Sequence, residues 1–380
     1  MLQFNFLLKV HPFRIVSKCT NKVLARMLAS GGGFKEVFVV SAARTPMGAF
    51  RGSLGSLTAP RLGTIAIQAA LERAGIPKDA VQETYIGNVY QAGVGQNPAR
   101  QAALGAGLSV STPCTTVNKV CASGMKAIAF AAQSLMLGHQ EVMVAGGMES
   151  MSNVPYYLPR ADPPFGNITL IDGCMYDGLT DAYNRVLMGV CGEKTAKTYN
   201  ISRQEQDEYA ISSYKKSLAA FEAGVFEREI VHVVIPGKKG KPDTEVKQDE
   251  EFTRCNIEKF QKLPPVFQKD GTITLANSSS LSDGGAACVL MTEPAMEKFK
   301  VKPLAKIIGF ADAAVDPMDF PVAPAQAVHK VCSVILGHPF GMSGARIVNC
   351  LVLNLKPGEY GVATACNGGG GAGAMLVQKL

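Results

Sequence analysis

SGMKAIAFAAQSLMLGHQEVMVAGG (residues 123–147) and SGARIVNCLVLNLKPGEYGVATACN (residues 343–367) are one pattern written twice. At a constant offset of 220, Ser123 meets Ser343, Gly124 meets Gly344, Leu135 meets Leu355 and Gly138 meets Gly358. Val142 then meets Val362, and Ala145 meets Ala365, without a gap. Each copy predicts a helix opened by small residues and stopped by a glycine, followed by an apolar strand that ends in a glycine-rich turn.

Two further matches keep the same chain order. EVFVVSAARTPM (36–47) pairs with IIGFADAAVDPM (307–318), and GGAACVLM (284–291) pairs with GGAGAMLV (370–377). Strands alternating with helices, duplicated in this way, predict an α/β fold of two similar halves. The first half runs over 36–150 and 276–300, and the second over 301–380. Residues 151–275, more polar and carrying the helical pattern NISRQEQDEYAISSYKKSLAAFEAG (200–224), read as an inserted subdomain. Ser202 and Glu205 there form a capping box, and Gly224 is the stop. The insertion leaves the sheet at the end where open α/β folds bind ligands.

The upstream match has an offset of 271 rather than 220, so the second half is 51 residues shorter between its first strand and its Ser-Gly helix. In the first half that interval holds a helix ending at Gly75, the strand ETYIGNVY (83–90), the loop GVGQNPARQ (93–101) and another helix. The second half has almost nothing there, with a seam near 331–333.

A chain of 380 residues, 47% hydrophobic, can bury a large core in more than one unit. No apolar run is long enough to span a bilayer. The formal charge of +7 does not indicate nucleic acid. Six basic residues precede the first acid, Glu36, leaving +1 for everything else. Residues 1–35 are basic, acid-free and interleaved with Phe, Leu, Ile and Val, the composition of a mitochondrial transit peptide. The ten cysteines show no Cys-x-x-Cys pair and no histidine at ligand spacing, so neither zinc nor a disulfide framework is expected.

Chemistry is expected where the repeats open. Cys121, in VNKVCASGMKA, precedes the first repeat helix, where unpaired N–H groups and the helix dipole favour a thiolate. His338, in GHPFG, takes the corresponding place before the second helix, and Cys366 ends the strand that follows. An imidazole accepting a thiol proton and a second thiol exchanging protons with substrate make a Cys-His-Cys site. The backbone N–H groups of Cys121 and Gly368 can hold a thioester oxyanion. Chemistry alone leaves a cysteine hydrolase or peptidase open. The glycine and alanine around both cysteines suit a narrow acyl tunnel better than a peptide cleft.

VNKVCASGMKA, VAGGMESMS, NSSSLSDGGAA, LGHPFGMSGAR and CNGGGGAGAML, in this order from about Val37 to the C-terminus, resemble the thiolase family, its mitochondrial members above all. The resemblance implies a layered α-β-α-β-α core and condensation of two acetyl-CoA into acetoacetyl-CoA plus CoA, or the reverse thiolysis, without a prosthetic group. It makes Cys121 the nucleophile, His338 its activator and Cys366 the acid/base of the carbon–carbon step. Coenzyme A is implied at Tyr183, Arg254, Cys255, Asn256, Lys259 and Ser279, where Arg254 and Lys259 can meet phosphates. Potassium is implied at Tyr183, Leu275, Ala276, Ser278 and Val334. The resemblance also implies a dimer or tetramer in the mitochondrial matrix.

One family motif has no match. Thiolases carry Asn-Glu-Ala-Phe on the second-half strand equivalent to YIGNVY, and its asparagine supports a second oxyanion hole. This chain runs from AVHKV (327–331) to SVILGHP (333–339) without it. The resemblance and the repeat therefore meet at the same gap. Weak stability and little condensation activity follow as expectations. A non-catalytic subunit assembling with intact chains, or an acyl-CoA hydrolase acting through Cys121, are the alternatives.

Overall fold

Nearly continuous apolar strands require cover on both faces, and the architecture supplies it. The computed structural model describes residues 33–161, 165–237, 240–253, 256–328 and 338–380. Most of the expected transit peptide, Arg254, Cys255, Val334 and the seam near 331–333 lie outside the described residues.

The first half contributes β1 (Val37–Arg44), α1 (Ala59–Ala74), β2 (Glu83–Gly87), α2 (Pro98–Gly105), β3 (Cys114–Val117), α3 (Ser123–Met136) and β4 (Val142–Ser150). The chain then leaves the sheet for α4 (Met188–Thr198) and α5 (Arg203–Glu222) and returns as β5 (Ser282–Thr292) and α6 (Glu293–Phe299). The second half is β6 (Ala305–Ala314), α7 (Ala323–Val328), α8 (Phe340–Asn354), β7 (Tyr360–Asn367) and β8 (Gly371–Lys379).

The large sheet runs β3-β2-β4-β5-β1-β6-β8-β7, with Gly48–Ala49 added against β5. The first half reads outward from the centre as β1-β5-β4-β2-β3, and the second as β6-β8-β7. β5 is antiparallel to β1 and β4, as β8 is to β6 and β7. The halves join through the antiparallel pair β1–β6. The repeat thus equates β1 with β6, α3 with α8, β4 with β7 and β5 with β8.

Three apolar clusters define five layers. Ile67 and Leu71 of α1 pack with Val144 and Val289 on the outer face of the first half-sheet. Ile128 and Leu135 of α3 meet Val348 and Val352 of α8 between the two half-sheets, against Leu290 on one side and Met375 on the other. Ala323 and Ala327 of α7 cover Ala372 and Ala374 of the second half-sheet. This is the α-β-α-β-α order the resemblance implied.

The central helices cross at the residues that open both repeats. A Cβ on Gly124 would lie 2.7 Å from the Gly341 carbonyl oxygen, and one on Gly344 would lie 2.5 Å from the Met125 nitrogen. Backbone meets backbone there, so only glycine fits. The helix stops differ between the copies. Gly138 ends the first with φ 74°. The second ends earlier, at Asn354, with Leu355 already extended at ψ 150°. Pro357 disfavours helical geometry at Lys356, and Gly358 serves the following turn instead.

The shortening of the second half has a definite shape. Among the described residues, β7 has no outer neighbour, whereas its counterpart β4 carries β2 and then β3. All nine residues of β4 are buried, but only two of eight in β7 are. The outer face is covered by the six-residue α7, where the first half has α1 and α2.

Arg44, 1% exposed at the end of β1, ties the inserted segment to the core. It meets Asp249 at 2.7 and 3.0 Å and Glu229 at 3.3 Å. Burial alone would lower its pKa, but the two carboxylates more than reverse that and keep the guanidinium charged. The capping box at the start of α5 is present, with Ser202 accepting from the Glu205 N–H and Glu205 from the Ser202 N–H.

Candidate active site

Cys121 and His338 both stand one residue ahead of an N-cap: Ala122 caps α3 and Pro339 caps α8. The helix crossing brings these two entries to the same end of the molecule, in an apolar cluster of Tyr90, Cys121, Met188, Phe320 and Phe340 with Cys366 packed against it. Cys121 is fully buried. The N–H groups of Gly368 and of Cys121 itself point at its sulfur, and Cys366 lies near enough to oppose its ionisation. The turn after β7, from the second half, therefore closes over the entry of α3, from the first.

Val120 holds the thiol in place through an uncommon backbone. Its φ is 46°, a left-handed value that a β-branched residue rarely adopts. Its N–H donates to Asn118 Oδ1 at 2.9 Å, while its carbonyl accepts from the Ser123 N–H at 3.0 Å and hydroxyl at 2.5 Å. Three hydrogen bonds thus oppose a strain of about 1–3 kcal/mol.

The expected thiolate is not the resting form. Burial raises the Cys121 pKa well above that of a free thiol and outweighs the two N–H donors. Burial likewise pushes Cys366 up to about 11. For His338, burial and then the Arg346 charge push its pKa down to about 3, so the imidazole is neutral. The site rests as two thiols and a neutral histidine, the forms that suit general-base activation better than a preformed ion pair.

The histidine's tautomer follows from its partner. Ser343 donates its hydroxyl to the Pro339 carbonyl at 2.7 Å, so its oxygen accepts from His338 Nδ1 at 2.8 Å. That leaves Nε2 as the basic nitrogen. The ring packs on Phe340 with 4.7 Å between centroids, and Phe340 stacks on Tyr90 at 5.6 Å. Among the described residues no hydrogen bond joins His338 to either thiol. The structure therefore groups Cys121, Gly368 and Cys366 directly and sets His338 against Phe340 of the same cluster.

The implied coenzyme A positions are more dispersed. Asn256 and Lys259 lie exposed at and within the short helix Ile257–Lys262. Ser279 is half-buried just before β5, and Tyr183 is 75% exposed. The Tyr183 loop is pinned by Asp181, which accepts its N–H at 3.0 Å and that of Asn184 at 2.5 Å. For potassium, Leu275 and Ala276 offer only carbonyls, and Tyr183 and Ser278 offer hydroxyls. Neutral oxygens of this kind fit a hard monovalent cation, and the Asp181 Oδ1, buried without a hydrogen-bond partner, adds a charged one nearby.

Sequence reading passed over Ser343, Val120 and Glu149. Two signals were there to find: Ser343 is the repeat partner of Ser123, and Glu149 is the one acid in the apolar run VMVAGGMES.

Two pseudo-symmetric α/β halves with a reactive-type thiol buried at their junction define the class of protein, and comparison with known proteins names it. Residues 37–294 match the family described as Thiolase, N-terminal domain, and residues 331–379 match Thiolase, C-terminal domain. The chain belongs to the thiolase family. It is 55% identical to the mitochondrial acetyl-CoA acetyltransferase of Mus musculus, over 94% of this chain and 95% of that protein. It is 54% identical to the Homo sapiens protein of the same name, over 94% of each. Among solved structures, the Acat5 thiolase of Ascaris suum in complex with coenzyme A superposes with a TM-score of 0.85 at 41% identity, over 91% of this chain and all of that one. The mouse alignment spans 402 positions but only 94% of 380 residues here, so about 45 positions lack a residue in this chain. That shortfall is close in size to the 51 residues missing from the repeat.

Proposed function

We propose that the protein is an acetyl-CoA C-acetyltransferase of mitochondria, acting through an acetyl-Cys121 intermediate. The observation that carries this reading is the convergence of the Cys121 sulfur, the Gly368 N–H and Cys366, contributed by both halves to one buried point. His338 Nε2 takes the Cys121 proton, the sulfur attacks the acetyl-CoA carbonyl, and the oxyanion rests on the Cys121 and Gly368 N–H groups. CoA leaves with the proton from His338. Cys366 then passes its proton to His338 and, as a thiolate, takes an α-proton from a second acetyl-CoA. The carbanion attacks the acetyl group, and Cys121 departs and recovers its proton from His338. Two acetyl-CoA become acetoacetyl-CoA plus CoA, and thiolysis is the same path reversed.

Lys259, with Arg254, would meet the phosphates of coenzyme A, while Tyr183, Cys255, Asn256 and Ser279 would line its path. Potassium, with Val334 completing the set, would brace the Tyr183 and 275–278 loops together. A homo-oligomer, dimer or tetramer, is supported by exposed apolar residues crowded between β4 and α4: Tyr156, Leu158, Phe165, Ile168, Leu170 and Tyr176.

The edge of β7, unpaired among the described residues, favours a reduced version of this chemistry. Acylation needs only groups that are present, whereas condensation also needs support from the missing strands. We therefore expect Cys121 to be acetylated but condensation to be weak, with water consuming the intermediate, or this chain to serve as a thiolase-like subunit beside intact ones. The test is peptide mass spectrometry after incubation with acetyl-CoA. An acetyl group on Cys121, absent from Cys121→Ser, supports the reading; an unmodified Cys121 sinks it.

A further inference from the structure

Glu149, at the far end of β4, is fully buried, and among the described residues no ion pair reaches it. Both carboxylate oxygens are occupied by N–H donors from two directions. Oε1 accepts from Asn88 Nδ2 at 2.7 Å and the Tyr90 N–H at 3.3 Å. Oε2 accepts from the Val89 N–H at 3.0 Å and the Gly341 N–H at 2.9 Å. The first three belong to the segment that follows β2. Gly341 belongs to the first turn of α8, three residues after His338.

We propose that Glu149 is the positioning residue for His338, anchoring the GHPFG entry of α8 to the first half of the molecule. The proposal rests on the histidine role given above. Four donors converge on one side chain that spans both halves, and they hold Tyr90 and Gly341 in a common frame. Tyr90 stacks on Phe340, and Phe340 packs on the imidazole. Gly341 sits so close to Asn88 and the Met148 carbonyl that no side chain fits between them. The entry of α8 is thereby docked backbone to backbone, with the Glu149 carboxyl group as its hydrogen-bonded clasp. Burial is the main cost and pushes the carboxyl pKa up to about 8 against the Val89, Gly341 and Tyr90 N–H donors. An apolar side chain would avoid that cost but would leave the Val89, Tyr90 and Gly341 N–H groups without their acceptor.

The clasp matters most in a chain shortened just before His338. Among the described residues, Glu149 and Ser343 are the polar groups that fix this turn. The probe is iodoacetamide, with alkylation of Cys121 followed by mass spectrometry and alkylation of the buried Cys288 as internal control. Glu149→Gln keeps the shape but turns an amide towards N–H donors. It is expected to slow Cys121 alkylation roughly tenfold or more, leave Cys288 unchanged, and have almost no further effect in a His338→Ala background. The same factor in both backgrounds, or an unchanged rate, overturns the proposal. Should Glu149→Gln not fold, Glu149→Asp retains the carboxyl group with fewer donors in reach. An intermediate rate is then expected, and the wild-type rate overturns the proposal. His338→Ala that fails to slow alkylation refutes the histidine's role itself, which separates that failure from this one.

Discussion

At the scale of the residue, burial decides which protonation states the site holds. His338 has a folded pKa near 3 against an ordinary value of 6.5. Between those pH values the unfolded chain binds a proton that the folded chain does not, so stability rises with pH across the window and falls as the solution is acidified. Replacing His338 with Gln is expected to flatten the melting temperature between pH 6.5 and about 4, as read by calorimetry. An unchanged slope would mean that the imidazole is not buried neutral. Val120 supplies a second prediction. Val120→Gly relieves a strain of about 1–3 kcal/mol and sacrifices some packing, so the melting temperature should change little. Acetyl transfer to Cys121 should slow roughly tenfold, because the thiol is no longer held against Gly368. Equal rates in the two proteins would make the strained backbone incidental.

At the scale of the element, the two central helices explain why the repeat conserves its opening Ser-Gly while much else has drifted. Gly124 and Gly344 let α3 and α8 cross in backbone contact, and Ser123 and Ser343 secure what precedes each helix. In the first copy the serine steadies the strained Val120, and in the second it orients an imidazole. Gly344→Ala should cost about 1–3 kcal/mol by overpacking, measured as a lowered denaturation midpoint with the slope unchanged. A midpoint equal to the parent's would mean that the helices can part without penalty. The termination of α8 shows how local chemistry breaks a repeat: Lys356-Pro357 stops the helix before the glycine that the pattern nominated.

At the scale of the whole molecule, the incomplete second half dominates. β7 has an unpaired edge among the described residues, and Leu351, Leu353 and Leu355 around it are only partly buried. An edge of this kind exposes unpaired N–H and C=O groups and apolar surface together. Acetoacetyl-CoA thiolysis by the purified chain should fall at least roughly a hundredfold below an intact thiolase, as expected when transition-state support is removed. Stronger binding of an apolar dye should accompany it. Turnover matching an intact enzyme would show that the missing strands are dispensable.

Much of this was legible in the chain itself. The duplicated Ser-Gly helix and apolar strand revealed two halves, because a pattern of buried positions is a local property of sequence. Cys121, His338 and Cys366 were singled out as candidates by their places at the ends of those elements, and the 51-residue deficit by comparing the halves. The chain also set its own helix caps and stops, through Ser202, Glu205, Gly75 and Pro357. Only the tertiary structure decided the protonation states, since desolvation depends on what covers a group and reverses the thiolate expected at a helix entry. It alone showed that β7 ends the sheet among the described residues. It alone brought Glu149 within reach of Gly341, 192 residues away, because a buried carboxylate's partners are chosen by how two halves dock and leave no periodic trace in either one.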